Sequence, residues 1–247
     1  MKRVAIVQPN YIPWKGYFDL IRAVDEFVLL DNVQYTRRDW RNRNRIKTAQ
    51  GVQWLSIPVQ VKSRYLQLVN ETEISDSDWA RAHWKILTHN YGRAPHFETF
   101  RSAIEDLYLG SEAQVLSEID RRFTVVICSL LGVSTPITIA SELAGPVEGR
   151  SARLLGLCRA VGATEYLSGP SAREYLDVAL FAANGISVEF ADYSGYPEYP
   201  QLHPPFEHAV TVLDLLFNTG PDAVAYMKDA RSSAAAPATR STIPALG

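Results

Sequence analysis

The 247-residue chain is 47% hydrophobic and 21% charged, which fits one large soluble globule rather than a string of small modules. A net charge of −2 argues against wholesale coating of nucleic acid. No run approaches the roughly 18 apolar residues of a membrane span, and no Cys/His spacing suits zinc.

Val4-Ala-Ile-Val7 is a continuous apolar run, the mark of a strand buried on both faces of a parallel sheet. Gln8-Pro9 stops it, and Pro9 and Pro13 bracket a loop. Gly16–Val24 then carries Tyr17, Leu20, Ile21 and Val24 at helical spacing, and Phe27–Leu30 reads as a second buried strand. This unit places Gln8–Lys15 and Asp31–Arg45 on one rim, because ligands of such units lie beyond the carboxyl ends of the strands.

Gln53–Val61 and Tyr65–Ile74 alternate apolar and polar residues and predict an antiparallel pair joined near Lys62-Ser63. Ser77 is placed to cap a helix bearing Trp79, His83, Trp84 and Leu87, with two more helices near 96–109 and 111–131. Residues 76–131 are thus expected to form a helical insertion or lid. Strand character returns at 136–140, helix at 149–161, strand at Glu165–Ser168, helix at 171–183 and strand at Ser187–Phe190. This alternation predicts a three-layer α/β domain over residues 1–228 with a mostly parallel sheet. Tyr193–Pro205 is too rich in Pro and Tyr for regular structure, 210–217 is a last apolar helix, and 229–247 reads as a disordered tail. Cys128 and Cys158 lie in apolar helical contexts, as expected of buried reduced thiols. With an apolar start broken by Gln8-Pro9-Asn10, too early for a signal-peptide core, a cytoplasmic location is expected.

Thr36–Lys47 holds six cations, Arg37, Arg38, Arg41, Arg43, Arg45 and Lys47, against Asp39 alone. That local charge of +5 leaves −7 for the rest of the chain and implies an anionic, phosphate-bearing partner. Tyr35 and Trp40 offer faces for a base or sugar, and Asn42 sits among the arginines. A solvated loop paired with the protein's own carboxylates is the plainer reading. Gln8, Asn10, Tyr11 and Lys15 are polar groups where a strand turns toward a helix N-terminus, suited to an anion or merely to loop amides. Asp31, at the end of a buried strand, would orient an amine or hydroxyl, or else pair with Arg37 or Arg38. Gln34 lies beside it. Ser168-Gly169 would let backbone approach a ligand, whereas Ser171 would simply cap a helix. The five histidines do not cluster, and no nucleophile triad, Walker loop or Gly-x-Gly-x-x-Gly is present.

The strings QPNYIPWKGYFDLI, LLDNVQYTRRDWRNRNRI, WLSIPV, YLSGPSAREYLD, DYSGYPEYPQLH and VLDLLFNTG resemble the WbqC-like family over roughly residues 3–220. The resemblance implies a bacterial role in O-antigen or specialised-metabolite biosynthesis and transfer of glycine to an amino sugar. It implies an activated amino-acid donor, with aminoacyl-tRNA among the candidates, and no cofactor or metal. Asp31 and Lys15 would then be catalytic, and Gln8, Asn10, Tyr11, Gln34, Tyr35, Arg37, Arg38, Arg41, Asn42, Arg43, Ser168 and Gly169 would bind substrate. The opening strand–loop–helix is also similar to Rossmann-like nucleotidylyltransferases, which would require magnesium and a nucleoside triphosphate. Aligned on Gly16, however, their His-x-Gly-His motif would fall on Trp14 and Tyr17. A non-catalytic binding subunit is the third reading.

Overall fold

The N-terminal apolar run is enclosed from both sides, and its alternation divides the interior in two. Val4 and Ile6 share one cluster with Val28 and Tyr166, while Ala5 shares the other with Phe27, Leu29 and Leu167. A strand can do this only at the centre of a sheet covered on both faces. The computed structural model describes residues 1–143 and 148–228, so the expected tail lies outside the described residues.

Five strands, β1 (Arg3–Val7), β2 (Glu26–Leu29), β5 (Ile137–Ile139), β6 (Glu165–Ser168) and β7 (Ser187–Phe190), form an all-parallel sheet ordered β5-β2-β1-β6-β7. The chain therefore builds outward from β1 on one side and then crosses to build outward on the other. The reversal falls between β1 and β6, which register Arg3 on Glu165 and Ala5 on Leu167.

One face is covered by α1 (Lys15–Arg22), α2 (Trp79–Tyr91), α3 (Phe97–Leu109), α4 (Leu116–Leu130) and α8 (Val212–Thr219). The other face meets α5 (Ala140–Leu143), α6 (Arg150–Ala160) and α7 (Val178–Ala183). This is the expected three-layer α/β arrangement, with helices where sequence periodicity placed them at α1, α2, α3, α4, α6 and α8. Cys128 and Cys158 are buried free thiols, pushed up to about 12 by burial.

Several local expectations are corrected. The antiparallel pair is not 53–61 with 65–74 but a hairpin of β3 (Arg43–Thr48) and β4 (Gly51–Ser56). Pro58 lacks the N–H needed to prolong β4, and the chain from 57 to 75 keeps isolated bridges, such as Val59 with Ile74, and a 3-10 turn at Val69–Glu71. The helix expected at 171–183 is broken into a 3-10 turn (Pro170–Glu174) and α7, because the Asp177 side chain accepts from Leu180 N at 3.0 Å and starts a new helix. Tyr175 is consequently exposed rather than core-facing, and Ser171 caps nothing. Nor does Ser77 cap α2: Asp78 holds the N-cap position, with no side-chain cap.

Candidate functional site

At the carboxyl rim of the sheet, Gln8 and Asn10 follow β1, and neither side chain makes a hydrogen bond among the described residues. Asp31 follows β2 and is 5% exposed. Its carboxylate accepts from Ser141 N at 3.0 Å, from Ser141 Oγ at 2.6 Å and from Asn70 Nδ2 at 3.2 Å. The salt bridge to Arg37 or Arg38 weighed as its plainer role is absent among the described residues: the partners are neutral donors at the start of α5 and on a distant turn. With neutral donors as its partners among the described residues, no protein cation competes there with an incoming amine. Asn32 and Asn70 each also hold a buried side-chain oxygen that accepts no hydrogen bond among the described residues. The end of β2 is thus a cluster of acceptors in want of donors.

The arginine-rich segment folds back over the first loop. Tyr11 N donates to Trp40 O at 3.0 Å, and Asn44 Nδ2 donates to the carbonyls of Tyr11 and Ile12 at 3.1 and 3.0 Å. Asn42 is fixed to Ile57 in both directions, its Nδ2 donating to the Ile57 carbonyl at 2.8 Å. Arg37 donates to Val61 O at 2.8 Å and lies 5.2 Å from the Tyr65 ring. Arg41 pairs with Asp39, while Arg43 donates to the Arg38 carbonyl. Arg38 itself is exposed, with φ of 57°.

Gln34, Tyr35 and Arg37 converge with Val61, Arg64 and Tyr65 on an open cavity of about 310 Å³. It shares Arg64 and Tyr65 with a second cavity of about 570 Å³, lined also by Gln67 and Glu71. The same strip of chain ties this groove to Asp31: Asn70 N donates to Asp31 O, Val69 N to Val33 O, and Tyr35 N to Gln67 O. A third cavity, about 430 Å³ among α2, α3 and α4, is lined by none of the catalytic or binding candidates drawn from the sequence.

Other candidates point elsewhere. Tyr11 is fully buried, its hydroxyl 2.9 Å from His83 Nδ1 and 2.7 Å from Tyr108 Oη, with its pKa raised well above the ordinary value by burial. It is a core residue, not a ligand-facing one. Tyr35 is only 7% exposed, too little for a base or sugar to stack on its ring. Lys15 is 3% exposed, donates to Pro197 O at 2.9 Å, and lies 5.0 and 5.1 Å from the rings of Tyr196 and Tyr199. Burial pushes it down to about 8, with Asp19 acting in the opposite sense. Ser168 Oγ is occupied by Tyr166 Oη at 3.2 Å. Gly169 has φ of −69°, and a Cβ there would meet only Tyr193 Oη at 3.9 Å, so the backbone does not require glycine.

Several residues of the site escaped the sequence reading. Asn70 and Ser141 reach Asp31 across 39 and 110 residues, and no local pattern marks them. Arg64 and Tyr65 are ordinary members of a polar stretch until the turn at 61–66 places them. Asp120 on α4 is fully buried, with neither carboxylate oxygen hydrogen-bonded among the described residues. Burial raises its pKa well above the ordinary value, against the pull of the Arg41 charge.

The sheet reversal beside β1, with polar loops gathered at that edge, defines a three-layer α/β protein of the kind that holds ligands outside the carboxyl ends of its strands. Within that class, the chain belongs to the WbqC-like protein family, whose sequence model matches residues 8–226. It is 52% identical over 233 residues to the uncharacterized protein Rv1507c of Mycobacterium tuberculosis, a similarity covering 94% of this chain and 100% of that relative. No solved structure matches it.

Proposed function

We infer that the protein is a transferase that joins an activated aminoacyl group, glycine in the family's suggested chemistry, to the amine of a nucleotide-linked amino sugar. The observation that carries this reading is the polarity of the site. Asp31, Asn32 and Asn70 present acceptors at the end of β2, and the adjoining groove is edged by the cations Arg37 and Arg64. A substrate with an amine at one end and a phosphate at the other fits that arrangement, since a carboxylate orients an amine and guanidinium forks grip phosphate.

The reaction needs little more than positioning. The amine nitrogen attacks the carbonyl carbon of the aminoacyl ester, a C–N bond forms, the ester C–O bond breaks, and the amine proton passes by way of Asp31 to the departing oxygen. Gln8 and Asn10, whose side chains make no hydrogen bond among the described residues, would hold sugar hydroxyls. Lys15 supports the rim by anchoring the loop at Pro197.

A thermal-shift series with amino-sugar nucleotides and their hydroxyl counterparts tests this. A ligand at about 100 times its dissociation constant adds roughly 2.7 kcal/mol, a rise of about 5–10 °C for a chain of this size. The amino sugar should stabilise the protein more than its hydroxyl analogue. Asp31→Asn should erase the difference between the two, and Arg37→Ala should weaken both. Equal shifts for the two sugars, or a bound amino sugar that yields no amide with any glycyl donor, would sink the reading. The strand order, shared with dinucleotide-binding sheets, keeps a magnesium-dependent nucleotidylyltransferase as the second reading. Pyrophosphate release from a nucleoside triphosphate would mark it.

A further inference from the structure

The hairpin carries a surface that the groove does not use. Arg45 stands directly across from Trp54, and Arg43 is two residues away on the same face. The Arg43 guanidinium lies 4.3 Å from the Trp54 ring centre, and that of Arg45 lies 5.6 Å from Trp54 and 5.8 Å from Trp40. The two indoles are 5.4 Å apart and tilted by 36°, and they remain 42% and 43% exposed. Residues of the opposite face, Asn44, Ile46 and Leu55, are buried.

Cations and indoles together narrow the occupant. The only ion pair made by residues 37–45, among the described residues, joins Arg41 to Asp39, so Arg38, Arg43 and Arg45 meet no carboxylate there. Neither tryptophan lines the cavities of the groove, whereas small ligands are usually enclosed. Adjacent half-exposed indoles with guanidinium groups laid over them offer unpaired bases a stacking partner and their phosphates a cation. A duplex hides its base faces and would leave the indoles idle.

We propose that the outer face of β3–β4, with Trp40 beside it, binds single-stranded RNA, stacking bases on Trp40 and Trp54 and holding phosphates with Arg38, Arg43 and Arg45. That this RNA carries the aminoacyl donor rests on the transferase reading; the binding itself does not.

Fluorescence anisotropy of a labelled single-stranded RNA oligonucleotide, titrated with the full chain over a range of salt, tests the proposal. The single strand should bind more tightly than its duplex. Log affinity should fall against log salt with a slope of roughly −2, as three phosphate contacts give. Trp54→Ala should weaken binding about tenfold or more, Trp54→Phe should restore most of it, and Arg45→Ala should make the slope shallower by about 0.7. Equal binding of duplex, no binding of single strand, an indifferent Trp54→Ala or a Trp54→Phe that fails to restore binding would overturn it. The amino-sugar thermal shift should survive in Trp54→Ala, so loss of RNA binding alone would leave the groove reading untouched.

Discussion

At the scale of single residues, His83 reports how the rim loop is held from below. Its Nδ1 lies 2.9 Å from the Tyr11 hydroxyl, and burial pushes its pKa down to about 4, a fall that its hydrogen bond with the Ser56 backbone partly offsets. The unfolded chain takes up the proton near pH 6.5 and the folded one only near 4, so between those values the unfolded state binds more protons. Stability conferred by the neutral ring is complete above pH 6.5 and is lost as pH falls toward 4, by up to about 3 kcal/mol. Asp120 works in the opposite sense, because its raised pKa makes the folded state the better proton binder on acidification. The two are separated by difference. In His83→Gln, whose amide keeps a donor and an acceptor, denaturant unfolding from pH 7 to 4 should lose less stability than the wild type does. A parallel loss in both proteins would remove His83 from the account.

At the scale of elements, glycine positions distinguish loops that need the residue from loops that merely contain it. Trp14 lies over Gly16 so closely that an added Cβ would come within 2.3 Å of the indole. That indole packs edge-on against Tyr193 and Tyr196, 5.2 and 5.3 Å away. Gly16→Ala should therefore expel Trp14, free the 193–199 segment and cost on the order of 1–3 kcal/mol, the usual range for overpacking. Gly169→Ala should leave thermal stability within about 0.5 kcal/mol, as at an unstrained surface position. Any loss of ligand affinity in Gly169→Ala would then report close approach of backbone to ligand. Measured unfolding midpoints of the two variants decide both points. The same scale shows what sequence can disclose. Continuous apolar runs announced β1 and β2 because burial on two faces leaves few polar positions, whereas β6 and β7 were legible from the alternation of strand with helix. β3 stayed hidden because its outward residues are arginines laid over an indole, so the period of two read as a charge run. The break before α7 depends on a single carboxylate competing for one amide. The Asp31 cluster is assembled by partners far off in the chain, which no window of sequence contains.

For the whole molecule, the shared interior decides whether α2–α4 can act as a separate lid. Tyr11, which belongs to the loop after β1, packs its ring against Trp79 and Phe123 at 6.0 and 5.6 Å and bonds to His83 and Tyr108. One apolar cluster runs from Ala5, Phe27 and Leu29 of the sheet through α1 into α2, α3, α4 and α8 without interruption. Opening the helices alone would expose that cluster and strand the hydroxyl pair, a cost comparable with global unfolding. Native-state hydrogen exchange should accordingly give the inner amides of α2–α4 the same protection free energy as those of β1. Tyr11→Ala should lower a single unfolding midpoint by roughly 10 °C, since loss of a large buried ring costs about 3–5 kcal/mol. If α2–α4 exchanged through a cheaper opening in the wild type, or if Tyr11→Ala split the transition in two, the helices would be a mobile cover. With one transition, substrates must enter the rim past the arginine-rich segment and the 61–66 turn, whose exposed Tyr65 and Leu66 make that turn the part to label when entry is followed.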